Sequence, residues 1–93
     1  MNMEFEWDEN KEAINFRKHG VRFTEATEAF DDENAVELFD DTHSDDEVRF
    51  QIVGATNSRL LFVAYTERSG KTRIISAREA DAKEVNIYHE HNR

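Results

Sequence analysis

"VRFQIVGATNSRLLFVAYTERSGKTRIISA", residues 48–77, decides the fold. In its first part Val48, Phe50 and Ile52 fall on one side of an extended chain, and Arg49 and Gln51 on the other. That period of two is the mark of a strand with one buried face. "RLLFVAYTE" (59–67) and "KTRIISA" (71–77) read as two more strands, with Ser69-Gly70 as the turn between them. A loop of those two residues alone would set Arg68 opposite Lys71 and Thr66 opposite Arg73. Consecutive strands with connections this short pair antiparallel.

Upstream, "AVELF" (35–39) has strand composition, and the polar, acidic "DDTHSDDE" (40–47) reads as a loop. "ENKEAINFRKHG" (9–20) is helical, with Asp8 as its N-cap and Gly20 just past its end. Ala13, Ile14 and Arg17 share one face, and Lys18 and His19 occupy the last turn. Thr24 is placed to cap a second short helix, "EATEAF" (25–30), and "FEW" (5–7) is a short first strand. Trp7 and Phe23 are expected in the core. "DAKEVNIYHEH" (81–91) is a final helix with Asp81 and Glu84 spaced as a capping box. The order β-α-α-β-β-β-β-α predicts an α+β fold. It has an antiparallel β-sheet of about four to five strands, two N-terminal helices and one C-terminal helix, all segregated to one face.

The 93 residues predict a single domain, 1–93, with a modest core built from seven Phe and other apolar side chains. Cysteine is absent, which excludes disulfides and thiolate chemistry. The longest apolar run, "LLFVAY", has six residues, far short of a membrane span, and the acidic start "MNMEFEWDEN" has no apolar signal core. The expectation is a cytoplasmic protein without membrane contact. The net charge of -9 is unevenly spread. Residues 1–47 carry sixteen acids and four bases, whereas residues 48–93 carry five acids and eight bases. Such a split can fold into one acidic and one basic face.

The phosphate-loop, dinucleotide and nucleophile-elbow motifs are missing, so nucleotide-triphosphate and serine-hydrolase chemistry have no support. His89 and His91 are two apart on a helix and point in different directions, and the metal-binding His and Cys spacings are absent. No metal and no cofactor are expected. What stands out is the hairpin, which carries Arg68, Lys71, Arg73 and Arg78 in an acidic chain. Guanidinium groups grip phosphate oxygens in pairs and stabilise the extra charge of a pentacoordinate phosphorus. RNA cleavage can then proceed by attack of the 2′-hydroxyl on the neighbouring phosphorus, with a histidine as acid or base. The competing reading is that each arginine pairs with one of the 21 carboxylates.

"FEWDENKEAINFRKHGVRFTEATEAFDD", "DTHSDDEVRFQIVG" and "LLFVAYTERSGKTRIISAREA" together resemble the BrnT family of toxins from type II toxin–antitoxin systems. The resemblance runs from about Phe5 to Tyr88 and is carried by W-D-x-x-K, K-H-G-V-x-F, H-S-x-x-E-x-R and R-I-I-S-A-R. It implies a fold similar to RelE-type ribonucleases and a metal-independent endoribonuclease that arrests growth. It also implies a BrnA-type ribbon-helix-helix antitoxin, an RNA substrate that is free or ribosome-associated, and contact with DNA only through the antitoxin. Carried onto this chain, the motifs give His43, Arg68, Arg78, Lys18 and Glu47 as catalytic residues. They give Arg49, Thr66, Arg73 and Tyr88 as substrate-binding residues, to which the basic hairpin adds Lys71. In these roles Arg68 and Arg78 would hold the scissile phosphate, Arg49 would orient it, and His43 or Lys18 would move protons. Glu47 and Glu84 would orient arginines, or one would be the base. The acidic surface would receive a basic part of the antitoxin. Two other readings stand beside the toxin: a non-catalytic interaction protein acting with a DNA-binding partner in transcriptional regulation, and a domain that binds an acidic or phosphorylated small molecule.

Overall fold

A computed structural model describes residues 3–40 and 47–93. The chain runs β1 (Phe5–Glu6), α1 (Glu9–His19), α2 (Phe23–Ala26), a 3-10 turn over Thr27–Asp31, β2 (Val36–Asp40), β3 (Arg49–Ala55), β4 (Leu60–Arg68), β5 (Lys71–Glu79) and α3 (Ala82–His91). The fold is α+β, as the element order predicts. Five strands form one sheet in the order β1-β5-β4-β3-β2. The β2–β3, β3–β4 and β4–β5 pairs are antiparallel. The sheet as a whole is mixed, because β1 pairs with β5 in parallel. The strand is only two residues long, and α1 returns the chain along the same edge of the sheet.

The hairpin has the register the two-residue loop predicts: Arg68 opposite Lys71 and Thr66 opposite Arg73. Ser69 and Gly70 both have positive φ, 53° and 79°. That is the twist which joins two right-handed strands with two residues, and it explains the glycine. Further along, β5 carries a bulge between its partners for Ala64 and Tyr65, which leaves Ile75 without an opposite residue.

One face of the sheet carries the core. Ile52, Leu61, Val63, Tyr65, Ile74 and Ala77 pack against Val21, Phe23, Ala26 and Ala29 from the helical segment, with Trp7 and Phe5 packed on the cluster. Phe23 is fully buried and meets the edge of Trp7 at 5.9 Å between ring centres. The 3-10 turn comes so close to β3 that a Cβ on Gly54 would sit 2.5 Å from the Ala29 carbonyl oxygen.

Three details of the sequence reading need correction. α2 starts at Phe23, with Arg22 as its N-cap, and Thr24 does not cap it. The Phe23 amide donates instead to the Glu12 carboxylate of α1 at 3.3 Å, so a partner distant in sequence does the capping. On α1, Ile14 is 57% exposed and the buried residue is Asn15. The third concerns α3, which lies against β2 and β3. It rests on the sheet face opposite the core, where Val36, Val53 and Phe62 are aligned across β2, β3 and β4. The helices are therefore split between the two faces. The capping predictions for α1 and α3 do hold: Asp8 accepts from the amides of Asn10 and Lys11, and Asp81 and Glu84 form a reciprocal capping box.

Candidate functional site

Residues opposite one another on paired strands project to the same face. The register sets Glu6 beside Arg73, Arg73 beside Thr66 and Thr66 beside Arg49. This row crosses β1, β5, β4 and β3 on the face away from the core. Arg68 and Lys71 extend it by one step at the hairpin end. With strands about 4.8 Å apart, Arg49 and Arg73 are roughly 10 Å apart through their backbones, and Arg68 stands about 7 Å along β4 from Thr66. The structure thus brings together Arg49, Thr66, Arg68, Lys71 and Arg73.

Glu47 joins them from just before β3. Its carboxylate lies 3.7 Å from Arg49 Nε and 3.4 Å from Arg68 Nη2. Both separations are long for charge-assisted hydrogen bonds. Arg49 Nε is buried and has no hydrogen-bond partner among the described residues. A buried donor left in that state costs free energy, and an acceptor brought to it would recover the loss. Thr66 donates its hydroxyl to the Val48 carbonyl oxygen and so fixes the chain next to Arg49. Arg73 is held by Glu6 at 3.2 Å. The Arg68 side chain is 55% exposed, so its contact with Glu47 is a weak surface pair open to competition.

Arg78 is on the same face but not in this cluster. Lys71, the partner of Arg68, and Arg78 are seven residues apart on β5, roughly 20 Å at about 3.3 Å per residue. Arg68 and Arg78 therefore do not converge on one phosphate group. Arg78 makes two parallel hydrogen bonds to Glu84, at 2.9 and 2.8 Å, and lies over the Phe62 ring at 4.4 Å. The same Glu84 carboxylate accepts from the Asp81 amide, so Arg78 ties α3 to the sheet.

Tyr88 is also elsewhere. Its hydroxyl donates to Asp32 at 2.7 Å, and this bond together with burial raises its pKa. Lys18 borders a cleft of about 200 Å³ beside β5, with His19, Asn15, Ile75 and Ser76. His43 lies outside the described residues. Among the described residues no group of three His, Asp or Glu side chains is placed to hold a metal ion.

Two structural residues escaped the sequence reading. Asn15 donates to the carbonyl oxygens of Val21 and Ala77, and accepts from the Ala77 amide. Its one side chain completes the edge of β5 beyond the end of short β1. An asparagine in the middle of a helix, against its propensity, was the available signal. Arg59 grips Glu25 at 2.7 and 2.9 Å and the Gly20 carbonyl oxygen at 3.0 Å, and no local pattern announces it.

The family described as "Ribonuclease toxin, BrnT, of type II toxin-antitoxin system" matches residues 7–84. The chain belongs to the BrnT family. It is thereby a ribonuclease toxin of a type II toxin–antitoxin system, and an antitoxin is its partner. No curated protein matches the chain. The matched span covers every member of the basic row except Glu6, and it ends at Glu84, the residue that holds Arg78. Among the described residues, no helix of this BrnT chain is long and apolar enough to cross a membrane.

Proposed function

We propose that this protein cleaves RNA without a metal, at the cluster of Glu47, Arg49, Arg68 and Arg73. The observation that carries the reading is Arg49, whose buried Nε–H has no acceptor among the described residues and sits beside a loosely held carboxylate. A phosphodiester oxygen would take that donor, while Arg68 and Arg73 share the remaining charge. Displaced from its two arginines, Glu47 would take the proton of the attacking 2′-hydroxyl. The new bond joins the 2′-oxygen to phosphorus, and the bond to the 5′-oxygen breaks. His43, four residues before Glu47 in the sequence, is assigned the proton for that leaving oxygen. The products are a 2′,3′-cyclic phosphate and a 5′-hydroxyl. The arginines would supply the positive charge that the pentacoordinate phosphorus requires. The partner is proposed as a BrnA-type ribbon-helix-helix antitoxin, through which alone the protein would reach DNA.

Purified, partner-free protein incubated with mixed-sequence RNA in excess EDTA should release fragments with those ends. Arg49→Ala and Arg68→Ala should each slow cleavage about 100-fold or more, the typical loss for one transition-state donor. Arg78→Ala should cost stability and leave cleavage by the folded fraction nearly intact. A second reading, a non-catalytic interaction protein, is favoured by the pairing of Arg68, Arg73 and Arg78 with glutamates. Absence of cleavage both in free solution and on ribosomes, with no growth arrest on expression, would select it.

A further inference from the structure

The core face of the sheet is not covered along its whole length. Near the hairpin end, beyond the helical segment, Met3, Phe30, Glu37, Phe50, Tyr65 and Glu67 line an open cleft of about 160 Å³. That is room for one side chain, below the roughly 300 Å³ at which small-molecule sites begin. Its floor holds Phe30 on Tyr65 and Tyr65 stacked on Phe50 at 5.6 Å, and the aromatic run continues outside the cleft from Phe50 to Phe39 at 6.0 Å. The run leads from the core to the surface, where Phe39 is 56% and Met3 49% exposed. In a chain with a net charge of -9, exposed aromatic surface at the end of an open groove marks a contact surface.

The rim is acidic. Among the described residues no lysine, arginine or histidine lies within ion-pair distance of Glu37 or Glu67. On the opposite face, Glu6, Glu47 and Glu84 each hold an arginine. The Tyr65 hydroxyl donates to Glu37 at 3.3 Å. Burial, with Glu37 and Glu67 beside it, pushes the titration of that hydroxyl well above its ordinary range. An apolar partner alone would leave two carboxylates desolvated without cations, which is costly. The partner must bring apolar side chains for the cleft and cations for its rim.

We propose that this cleft, with Phe50 on its floor, Phe39 exposed beside it and Glu37 and Glu67 on its rim, seats a basic amphipathic segment of the antitoxin. The proposal rests on the toxin–antitoxin reading and adds the place and chemistry of the contact. The cleft and the basic row are on opposite faces of one sheet, so the segment anchors the antitoxin without itself covering the arginines. Binding and cleavage are therefore separable by mutation.

The test is calorimetric titration of the toxin with the purified protein from the adjacent reading frame, at low and high salt. The Glu37→Lys/Glu67→Lys and Phe39→Ser variants should bind about tenfold more weakly or worse. The charge-reversed form should also lose most of the salt dependence. Both variants should remain folded at the assay temperature by circular dichroism, retain RNA cleavage, and escape inhibition by antitoxin that silences wild type. Arg68→Ala should bind the antitoxin normally. Equal affinity across wild type and both surface variants overturns the proposal and leaves the toxin–antitoxin reading standing. A wild type that binds no such partner overturns both. A wild-type dimer split by the same substitutions makes the cleft a self-interface and overturns the proposal alone.

Discussion

Asn15 sits in mid-helix, where its side chain competes with the backbone, and it is buried. Its reward is tertiary, since one amide group pairs both polar groups of Ala77 and the Val21 carbonyl oxygen. Asn15→Ala removes all of these partners at once. Each buried orphan costs about 1–3 kcal/mol, so urea denaturation should report a loss of about 3 kcal/mol, softened by any water that enters. A loss under about 1 kcal/mol would mean that β5 does not depend on this side chain. The hairpin arginines, by contrast, stand out in the sequence as cations, but their partners do not. Glu6 lies 67 residues from Arg73, and only the parallel pairing of β1 with β5 sets them side by side.

At the scale of elements, local chemistry was readable wherever the partner is a near neighbour in the chain. The turn at Ser69-Gly70, the caps at Asp8 and Asp81 and the end of α1 at Gly20 fall where the residues predict. The capping box of α3 has a wider role, because its Glu84 also holds Arg78. Asp81→Ala should cost about 1 kcal/mol, the usual worth of an N-cap, read as a shift in the denaturation midpoint. Ser69 carries a side chain in a left-handed conformation, φ 53°, where asparagine is better tolerated. Ser69→Asn should stabilise the hairpin by about 0.5–1 kcal/mol in the same assay, with no change in RNA cleavage. The cap of α2 was not legible, since Glu12 supplies it from another helix.

For the whole molecule, acid is the expected route to unfolding. The hydrogen bond from Arg59 lowers the pKa of Glu25 against the opposing effect of burial, with help from Thr56 and Ser58. At Asp32 burial acts upward, but hydrogen bonds from the Ala55 amide, the Tyr88 hydroxyl and the Asn34 amide outweigh it, and the pKa is lowered. Both groups have folded pKa values below the ordinary 4.5 and 3.8, so each stabilises the fold above those values. That contribution is lost as pH falls through the folded pKa. Stability should be level from neutral pH down to about 5 and drop below about 4.5. Glu25→Gln should lower stability at neutral pH and flatten the acid limb. An unchanged limb would remove Glu25 from the account.

Periods of two and 3.6, turn residues and caps depend on a few consecutive side chains, and these determined the strands, the hairpin register, the ends of α1 and α3 and the α+β class. The family motifs are likewise strings of residues, and they are legible as such. Tertiary structure alone decided that α3 crosses to the face opposite α2, that Arg49 joins Arg73 beside Thr66, and that Arg78 serves the helix instead of the cluster. These outcomes depend on which strands become neighbours and on which carboxylate reaches which guanidinium first. That selection is made by burial summed over the sheet, and no short window of sequence contains it.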